Sequence, residues 1–547
     1  MNKLKTVCLA FGLASTMAAN AGGLLTNTNQ SIAFLRNPAR DAAIGIDGVY
    51  SNPAGVAFMN NGLHLSINLQ NVRQTRTITS TFAPFAFGDG NYGATTKDFK
   101  GKANAPVLPS FQAAYNKKDW SFQFNFAVTG GGGKCVFDNG LGSFESIVGL
   151  LPMLSQSLDN IAPVIVPGLS RLVPLGLPNV SQYKMDTYMR GRQYYYGFTV
   201  GAARKINSHW SVYLGARLLY GTSNYYGYVS NIQANIEGQF KPASETFTTA
   251  ATQYARLAGV AAANGNLADA TKYTANSAIC GALGEATQDV TLNCDQTGWG
   301  IAPIIGVDYK TGAFNFAAKY EFRTKMNLKN QAANSESAKN ITLLDRYEDG
   351  KHVREDSPAL LTLGAQWEVL PSLRVSAGWH HYFDKDAKQF NSHQKKLDGN
   401  TNEYLFGAEY DINKMVQVSA GVQKTDYKFT EDYMEDLSFN VSSHSVGVGV
   451  GIQLNEKMKL NLAYFHTFYK DFSRQTNDYC ENSKFVTKVV ENIINRLPEG
   501  TVPEGAAEKV KTVLTTPNAQ TGKSALYGAD TFTRSNRVFG VGLDITI

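Results

Sequence analysis

The residues best equipped for chemistry in this 547-residue chain are basic ones. Arg171, Lys184, Arg190 and Arg192 follow a long apolar stretch. An arginine fork can hold a carboxylate through both of its oxygens. These side chains either pair with an anionic head group or lie at an interface or in solvent. Other chemistry is sparse. His380-His381, His64 and His466 lack metal-ligand spacing, and no G-x-S-x-G, H-E-x-x-H, Walker or dinucleotide motif occurs. An enzyme is therefore not expected, and neither catalytic residues, a metal nor a cofactor is assigned. Cys135, Cys280, Cys294 and Cys480 lack C-x-x-C spacing. Cys280 and Cys294 are close in sequence and are the best candidates for a disulfide in an exported chain. The formal net charge of +6 is too weak and dispersed to point to nucleic acid.

The elements that must position these residues follow from composition and period. Only 18% of residues are charged, against about 25% in soluble domains, while Gly (50), Tyr (27) and Phe (30) are plentiful. Mean hydropathy is −0.23, which rules out a polytopic helical membrane protein. A transmembrane β-barrel fits this combination, because alternate residues face lipid and the others a polar interior. Lys3 and Lys5, the apolar run Val7 to Met17 and Ala19-Asn20-Ala21 make residues 1–21 a signal peptide. From about residue 62 onward the chain alternates with period two. Val446, Val448, Val450 and Ile452 interleave with Ser445, Gly447, Gly449 and Gly451, and Phe539, Val541 and Leu543 with Val538, Gly540 and Gly542. The small, polar face reads as the lumen side of a barrel.

Connections alternate as well. Tight turns fall at 116–119, 207–208, 310–312, 370–372, 411–414 and 455–457. Long connections fall near 84–103, 135–187, 233–294, 331–352, 384–399, 427–437 and 473–530. The result is an all-β, membrane-spanning antiparallel barrel of about 14 strands over residues 62–547, its long, partly helical loops outside the cell.

Three segments do not alternate. Residues 22–61, with Asn37-Pro38-Ala39 and Ser51-Asn52-Pro53-Ala54-Gly55, read as a compact plug, since a tube of this width leaks unless filled. Residues 141–180 are apolar but interrupted by Pro152, Pro163, Pro167, Pro174 and Pro178, so they are not expected to form a spanning helix. Leu150, Leu151, Met153, Leu154, Ile161, Ile165 and Leu169 form either a binding groove or a self-packed cap. Residues 483–497 and 244–284 read as helical. The run Gly130-Gly131-Gly132-Gly133, after the alternating Ser121 to Val128, marks a bend in a strand or a flexible join to the next loop.

A leader, a plug carrying Asp47-Gly48-x-x-Ser51-Asn52-Pro53-Ala54-Gly55 directly before the first strand, and fourteen strands together resemble the FadL family of outer-membrane transporters. The resemblance also covers Ala105-Pro106 leading into the second strand and a Gly-interrupted third strand after Trp120. It departs in the terminal Ile547 and in the enlarged loops. It implies a hatch at residues 22–61 with Asn52, Pro53, Ala54 and Gly55 as its motif. It implies a kink at Gly130–Gly133 that opens the third strand sideways, and a loop groove for hydrophobic ligand after that strand. The expected function is passive uptake of hydrophobic molecules, long-chain fatty acids foremost, by an outer-membrane monomer in contact with lipid and lipopolysaccharide. A general or aromatic-selective porin and an outer-membrane scaffold or receptor are the alternatives.

Overall fold

The structure, a computed structural model, describes residues 27, 29–165 and 178–547, with the side chains of 156–165 and of Asn340 excepted. The expected leader and two of the candidate ligand residues, Leu169 and Arg171, lie outside the described residues.

Fourteen antiparallel strands close into a barrel. In chain order they are β1 (Gly62–Phe82), β2 (Thr96–Lys117), β3 (Trp120–Phe137), β4 (Val180–Lys205), β5 (Trp210–Ile236), β6 (Val290–Thr311) and β7 (Phe314–Glu321, resuming as Asn327–Ala332). The other half comprises β8 (His352–Arg354, then Leu360–Leu370), β9 (Leu373–Tyr382), β10 (Thr401–Asp411), β11 (Val416–Asp426), β12 (Ser443–Asn455), β13 (Met458–Tyr469, then Phe472–Thr476) and β14 (Gly528–Thr546). β1 pairs with β14 from His64↔Thr546 to Phe82↔Gly528, which closes the sheet on itself. Each expected turn and long connection joins two of these strands, but the strands run further into the long connections than expected: residues 96–103 belong to β2 and 180–187 to β4. The wall is taller on one side: β5 has 27 residues and β9 has 10, where about 9–11 are enough to span a bilayer. Ala105-Pro106 consequently lies inside the tall β2 rather than leading into it.

Alternation places the two faces as the sequence predicts. Val446, Val448, Phe539 and Val541 point outward, whereas Ser445, Asn461 and Asn536 are buried inside. Outward aromatics near the tight turns include Trp120, Trp210, Phe314, Trp367 and Tyr410. Trp210 packs on Tyr309 at 4.5 Å, and Phe314 stacks on Trp367 at 5.8 Å. Such a girdle marks a membrane–water boundary.

Beyond the opposite rim, the long loops fold into an apolar dome. It contains α2 (Gly142–Ile165), α3 (Ala243–Ala263), α4 (Leu267–Ala286), α5 (Asn482–Asn495) and α6 (Ala506–Thr515). The prolines do not prevent a long helix after β3: α2 runs 24 residues and includes Pro152 and Pro163. A proline inside a helix costs about 3 kcal/mol. Packing of α2 against residues 83–87, β4, α5 and α6 offsets that cost. Among the described residues no helix is long and apolar enough to cross a membrane.

The thiols of Cys135, Cys280, Cys294 and Cys480 are all free, so the expected Cys280–Cys294 bridge is not formed. Cys280 is held in the packed face of α4 beside Ile279 and Leu283, while Cys294 is fixed in β6 opposite Tyr225. Burial pushes the Cys280 thiol up to about 12.

Candidate functional site

Asn27 and residues 29–61, which precede β1, lie inside the barrel. They include α1 (Ile32–Arg36), capped by Ser31, whose side chain accepts from the Ala33 N–H. The glycines of the lumen face make room for it. A Cβ on Gly447 would lie 2.3 Å from the Leu35 carbonyl oxygen, one on Gly407 2.0 Å from Asn37 Oδ1, and one on Gly540 2.5 Å from Ile32. The small face read from the sequence in β12 and β14, which β10 continues at Gly407, is thus a bed for this segment.

Buried ion pairs fasten it there. Arg40 reaches Asp47 at 2.8 Å and Glu409 of β10 at 2.7 Å, and Arg36 reaches Glu409 at 3.5 Å. His380 of β9 lies 3.0 Å from Asp41 and 2.9 Å from Glu403. Removing one partner of such a buried pair is costly, of order 3–5 kcal/mol.

Asn52-Pro53-Ala54-Gly55 secures the other end of the segment, residue by residue. Asn52 Nδ2 donates to Asp308 Oδ2 at 2.6 Å, and Asn52 Oδ1 accepts from the Gly55 N–H at 3.2 Å. The Pro53 carbonyl accepts from Gln123 Nε2 and the Ala54 carbonyl from Ser211 Oγ, both at 2.7 Å. Gly55 is required because a Cβ would lie 2.3 Å from Asn52 Nδ2. The motif therefore connects the segment to β3, β5 and β6.

The wall is broken beside it. β2 and β3 pair from Lys117↔Trp120 to Phe111↔Phe126 and resume only at Lys102↔Val136. Opposite β4 the same stretch of β3 slips register between Val128 and Gly130 and again between Gly130 and Gly133. Gly131 adopts φ +94° and Gly133 φ +69°, conformations that side-chain-bearing residues rarely take. At Gly131 a Cβ would also lie 2.4 Å from the Gln193 carbonyl oxygen. The glycine run is a bulge in the strand, with Gly130, Gly131 and Gly133 buried and Gly132 half-buried, rather than a loop join. Pro106 and Pro109, which have no N–H to offer a ladder, lie on the β2 side of the break.

The backbone groups freed by the bulge are met from inside. Gln30 Nε2 donates to the Val128 carbonyl at 2.5 Å, and the Val128 N–H donates to Gln30 Oε1 at 3.0 Å. Asn27 Nδ2 adds a second bond to the Val128 carbonyl at 3.0 Å, and the Asn27 N–H donates to the Thr129 carbonyl at 2.9 Å. Ser110 Oγ of β2 donates to the Gln30 carbonyl at 3.0 Å. Gln30 thus bridges both strands that flank the break, and Arg76 of β1 donates to the Gly132 carbonyl at 2.9 Å. Asn27, Gln30 and Arg76 were not singled out by sequence, since nothing in a lone Asn or Gln announces that a bulge lies opposite.

The loop candidates distribute differently. Leu150, Leu151 and Leu154 are buried in the dome core and Met153 packs against it, which is the self-packed cap. Ile161 and Ile165 belong to α2, their side chains outside the described residues. Arg190 donates to Asn224 Oδ1 at 2.7 Å and lies over the Tyr226 ring, and Arg192 sits half-buried two residues along β4. Lys184 lines a hollow of about 700 Å³ together with Asp89, Lys97, Glu145 and Tyr183. A second hollow of about 670 Å³ among the loops is lined by Ser143, Arg346, His393, Met434, Asp436 and Arg474. The first is mainly polar, the second mixes charged residues with Leu343, Phe390 and Met434, and neither contains the buried leucines.

Among solved structures, the chain resembles a Pseudomonas aeruginosa FadL homologue with a TM-score of 0.57 at 10% identity, covering 96% of this chain and 99% of that one. The P. putida toluene transporter TodX aligns at a TM-score of 0.48 and 13% identity over 92% of this chain and 94% of its own. The Ralstonia pickettii toluene transporter TbuX gives 0.45 and 13% over 94% and 98%. No family model matches the sequence, and no curated protein matches it.

Proposed function

We propose that a chain with the fold of a FadL homologue, its lumen filled and its wall broken beside the filling, is an outer-membrane channel for hydrophobic molecules. Long-chain fatty acids are the foremost candidates. The observation that carries this reading is the break between β2 and β3, closed from inside by Asn27 and Gln30 of the N-terminal segment. A structural wall has little reason to accept such a break, because an unpaired backbone group facing hydrocarbon costs several kcal/mol. A path for an apolar solute from lumen to bilayer requires one.

In this reading residues 22–61 are a hatch, the dome is extracellular, and ligand passes from the loops into the lumen. It displaces the capping side chains and leaves sideways at Gly130–Gly133. Transport is downhill, since partition into the bilayer supplies the driving force, about 0.8 kcal/mol per CH₂. No resident cofactor is invoked. The aromatic girdle and arginines such as Arg190 would meet lipid and lipopolysaccharide, and one chain closes the barrel without a partner.

A strain lacking the protein should grow slowly with oleate as sole carbon source and recover when the gene is restored. Unchanged growth would refute fatty-acid uptake. A general porin predicts instead a large steady conductance in planar bilayers. That reading is disfavoured by the ion pairs holding Arg36, Arg40 and Asp41 inside the lumen.

A further inference from the structure

We propose that the outer wall of β14, β1, β2, β3 and β4, just above the lipid-facing band, binds the phosphorylated head of a saccharide lipid in the outer leaflet. The assignment rests on the outer-membrane reading and not on what the channel carries. On each of these strands the outward residues pass from apolar to cationic toward the dome. On β1, Ile67 and Leu69 face lipid and Arg73 follows two outward positions on. On β14, Val541 and Phe539 give way directly to Arg537. In the same direction, Val107 of β2 is followed by Lys102, Phe122 of β3 by Lys134, and Phe198 of β4 by Arg192 and Arg190.

Strand register gathers these cations into one patch. Arg73 and Arg537 are direct partners in the β1–β14 ladder, and Lys134 and Arg192 are direct partners between β3 and β4. Lys102 pairs with Thr75, two residues from Arg73. Lys102↔Val136 is also where the β2–β3 ladder resumes, so the patch lies across the dome end of the break. Among the described residues none of the six cations pairs with a carboxylate, whereas Lys100, the next outward residue of β2, is matched by Asp98 at 3.3 Å. Arg192 Nε is buried with no hydrogen-bond partner. The patch ends at β5 and β6, where Asn224 and Asp295 bond each other at 2.9 Å. Like charges directly opposite in a sheet are destabilising. A phosphate monoester, with a charge of about −1.5 to −2, reverses that balance, and arginine forks hold its oxygens in pairs.

What lies above the cations selects a saccharide. The outer face of β1 and β14 continues with the ladder pairs Thr75↔Ser535, Thr77↔Thr533 and Thr79↔Thr531, a field of hydroxyls without charge. Thr75 Oγ1 and Ser535 Oγ lie 2.6 Å apart, and each hydroxyl keeps a lone pair for a sugar hydroxyl. On the other flank Arg190 lies over the Tyr226 ring, and Tyr188 packs on Tyr226 and Tyr228 at 6.2 and 5.8 Å. These rings offer flat faces to the C–H faces of sugar rings. Along each strand the order is apolar band, cations, then hydroxyls or aromatics. That is the order of acyl chains, phosphates and sugars in a phosphorylated saccharide lipid. A phospholipid has an anionic head for the cations but no sugar rings for the upper part of the surface.

The test uses the full-length protein in a non-ionic detergent, titrated with bisphosphorylated lipid A, with dephosphorylated lipid A and with phosphatidylglycerol, and read by native mass spectrometry. Bisphosphorylated lipid A is expected to bind at least about tenfold more tightly than either, the factor that hydrogen bonds to a charged group supply. Arg73, Lys102 and Arg537 are exposed. An Arg73→Gln, Lys102→Gln, Arg537→Gln protein, its folding checked by heat-modifiable gel migration, is expected to lose the preference for the phosphorylated form. If the triple variant does not fold, the wild-type comparison decides alone. Equal affinity with and without phosphates, phosphatidylglycerol bound as tightly as lipid A, binding of none of the three, or a folded variant that keeps the preference would overturn the site. Fractionation of cells checks the outer-membrane reading independently, so a failed titration of a protein found in the outer membrane counts against the site alone.

Discussion

Gln30→Ala is the most informative single change, because it removes the clasp across the break while leaving the barrel strands intact. Gln30 is 3% exposed and makes two bonds to the Val128 backbone, at 2.5 and 3.0 Å. Alanine leaves the Val128 N–H with no partner from the N-terminal segment, while the carbonyl keeps Asn27 Nδ2. Two hydrogen bonds at about 1 kcal/mol each amount to about 2 kcal/mol, or a roughly 30-fold shift toward the unlatched state. The bond from Ser110 Oγ goes to the Gln30 main-chain carbonyl and survives the substitution, so loosening is expected rather than expulsion of the segment. Deuterium exchange read by mass spectrometry should show faster exchange in peptides covering residues 124–137 and unchanged exchange around β9–β12. In cells, uptake of a fluorescent fatty acid should rise severalfold if unlatching limits the rate. A folded Gln30→Ala protein with wild-type exchange at residues 124–137 and wild-type uptake would refute the clasp.

Gly447→Val should drive the N-terminal segment from its bed, since the new Cβ meets a main-chain oxygen at 2.3 Å that has no rotamer to escape through; bilayer conductance should rise above that of the wild type, and an electrically tight folded variant would contradict this. Asp436 in the loop dome is pushed up to about 6 by burial, although it accepts the Ser143 N–H. The folded state then holds its proton to higher pH than the unfolded state, so stability falls as pH rises from about 4 to about 6 and is flat above. Asp436→Asn should therefore raise the melting temperature at pH 7 and have little effect at pH 4. The free, buried Cys280, with its thiol pushed up to about 12, should resist maleimide in the native protein at pH 7.5 and react only after unfolding; a reductant-dependent shift in gel migration would show a disulfide instead.

The barrel was legible because a pleated strand in a wall with two unlike faces writes its period into the sequence. Val446 to Ile452 and Phe539 to Leu543 could alternate only with lipid on one side, and the tight turns could lie only between such strands. That residues 29–61 lie inside followed from their failure to alternate. What holds them there did not follow. Glu409 serves Arg36 and Arg40 from the opposite end of the chain, and barrel closure sets Arg76 beside Arg534. Such pairings depend on register, and no local pattern encodes it. The helix through Pro152 was missed for a related reason: proline's local cost was visible, but the dome that offsets it was not. At Gly130–Gly133 the sequence left a bend and a loop join open. The positive φ of Gly131 and Gly133, set by the bulge against β4, selects the bend.

The central claim, that ligand leaves through the wall between β2 and β3, is tested most directly by photocrosslinking. A diazirine-bearing fatty acid is added to outer membranes containing the protein, activated by light, and its adducts are mapped by peptide mass spectrometry. The account predicts adducts on residues 103–110 of β2 and 127–135 of β3, reduced when Gly131→Val straightens the strand. Adducts confined to the turn end of the lumen, around Pro53 to Met59, would show that ligand passes straight through the barrel and would contradict it.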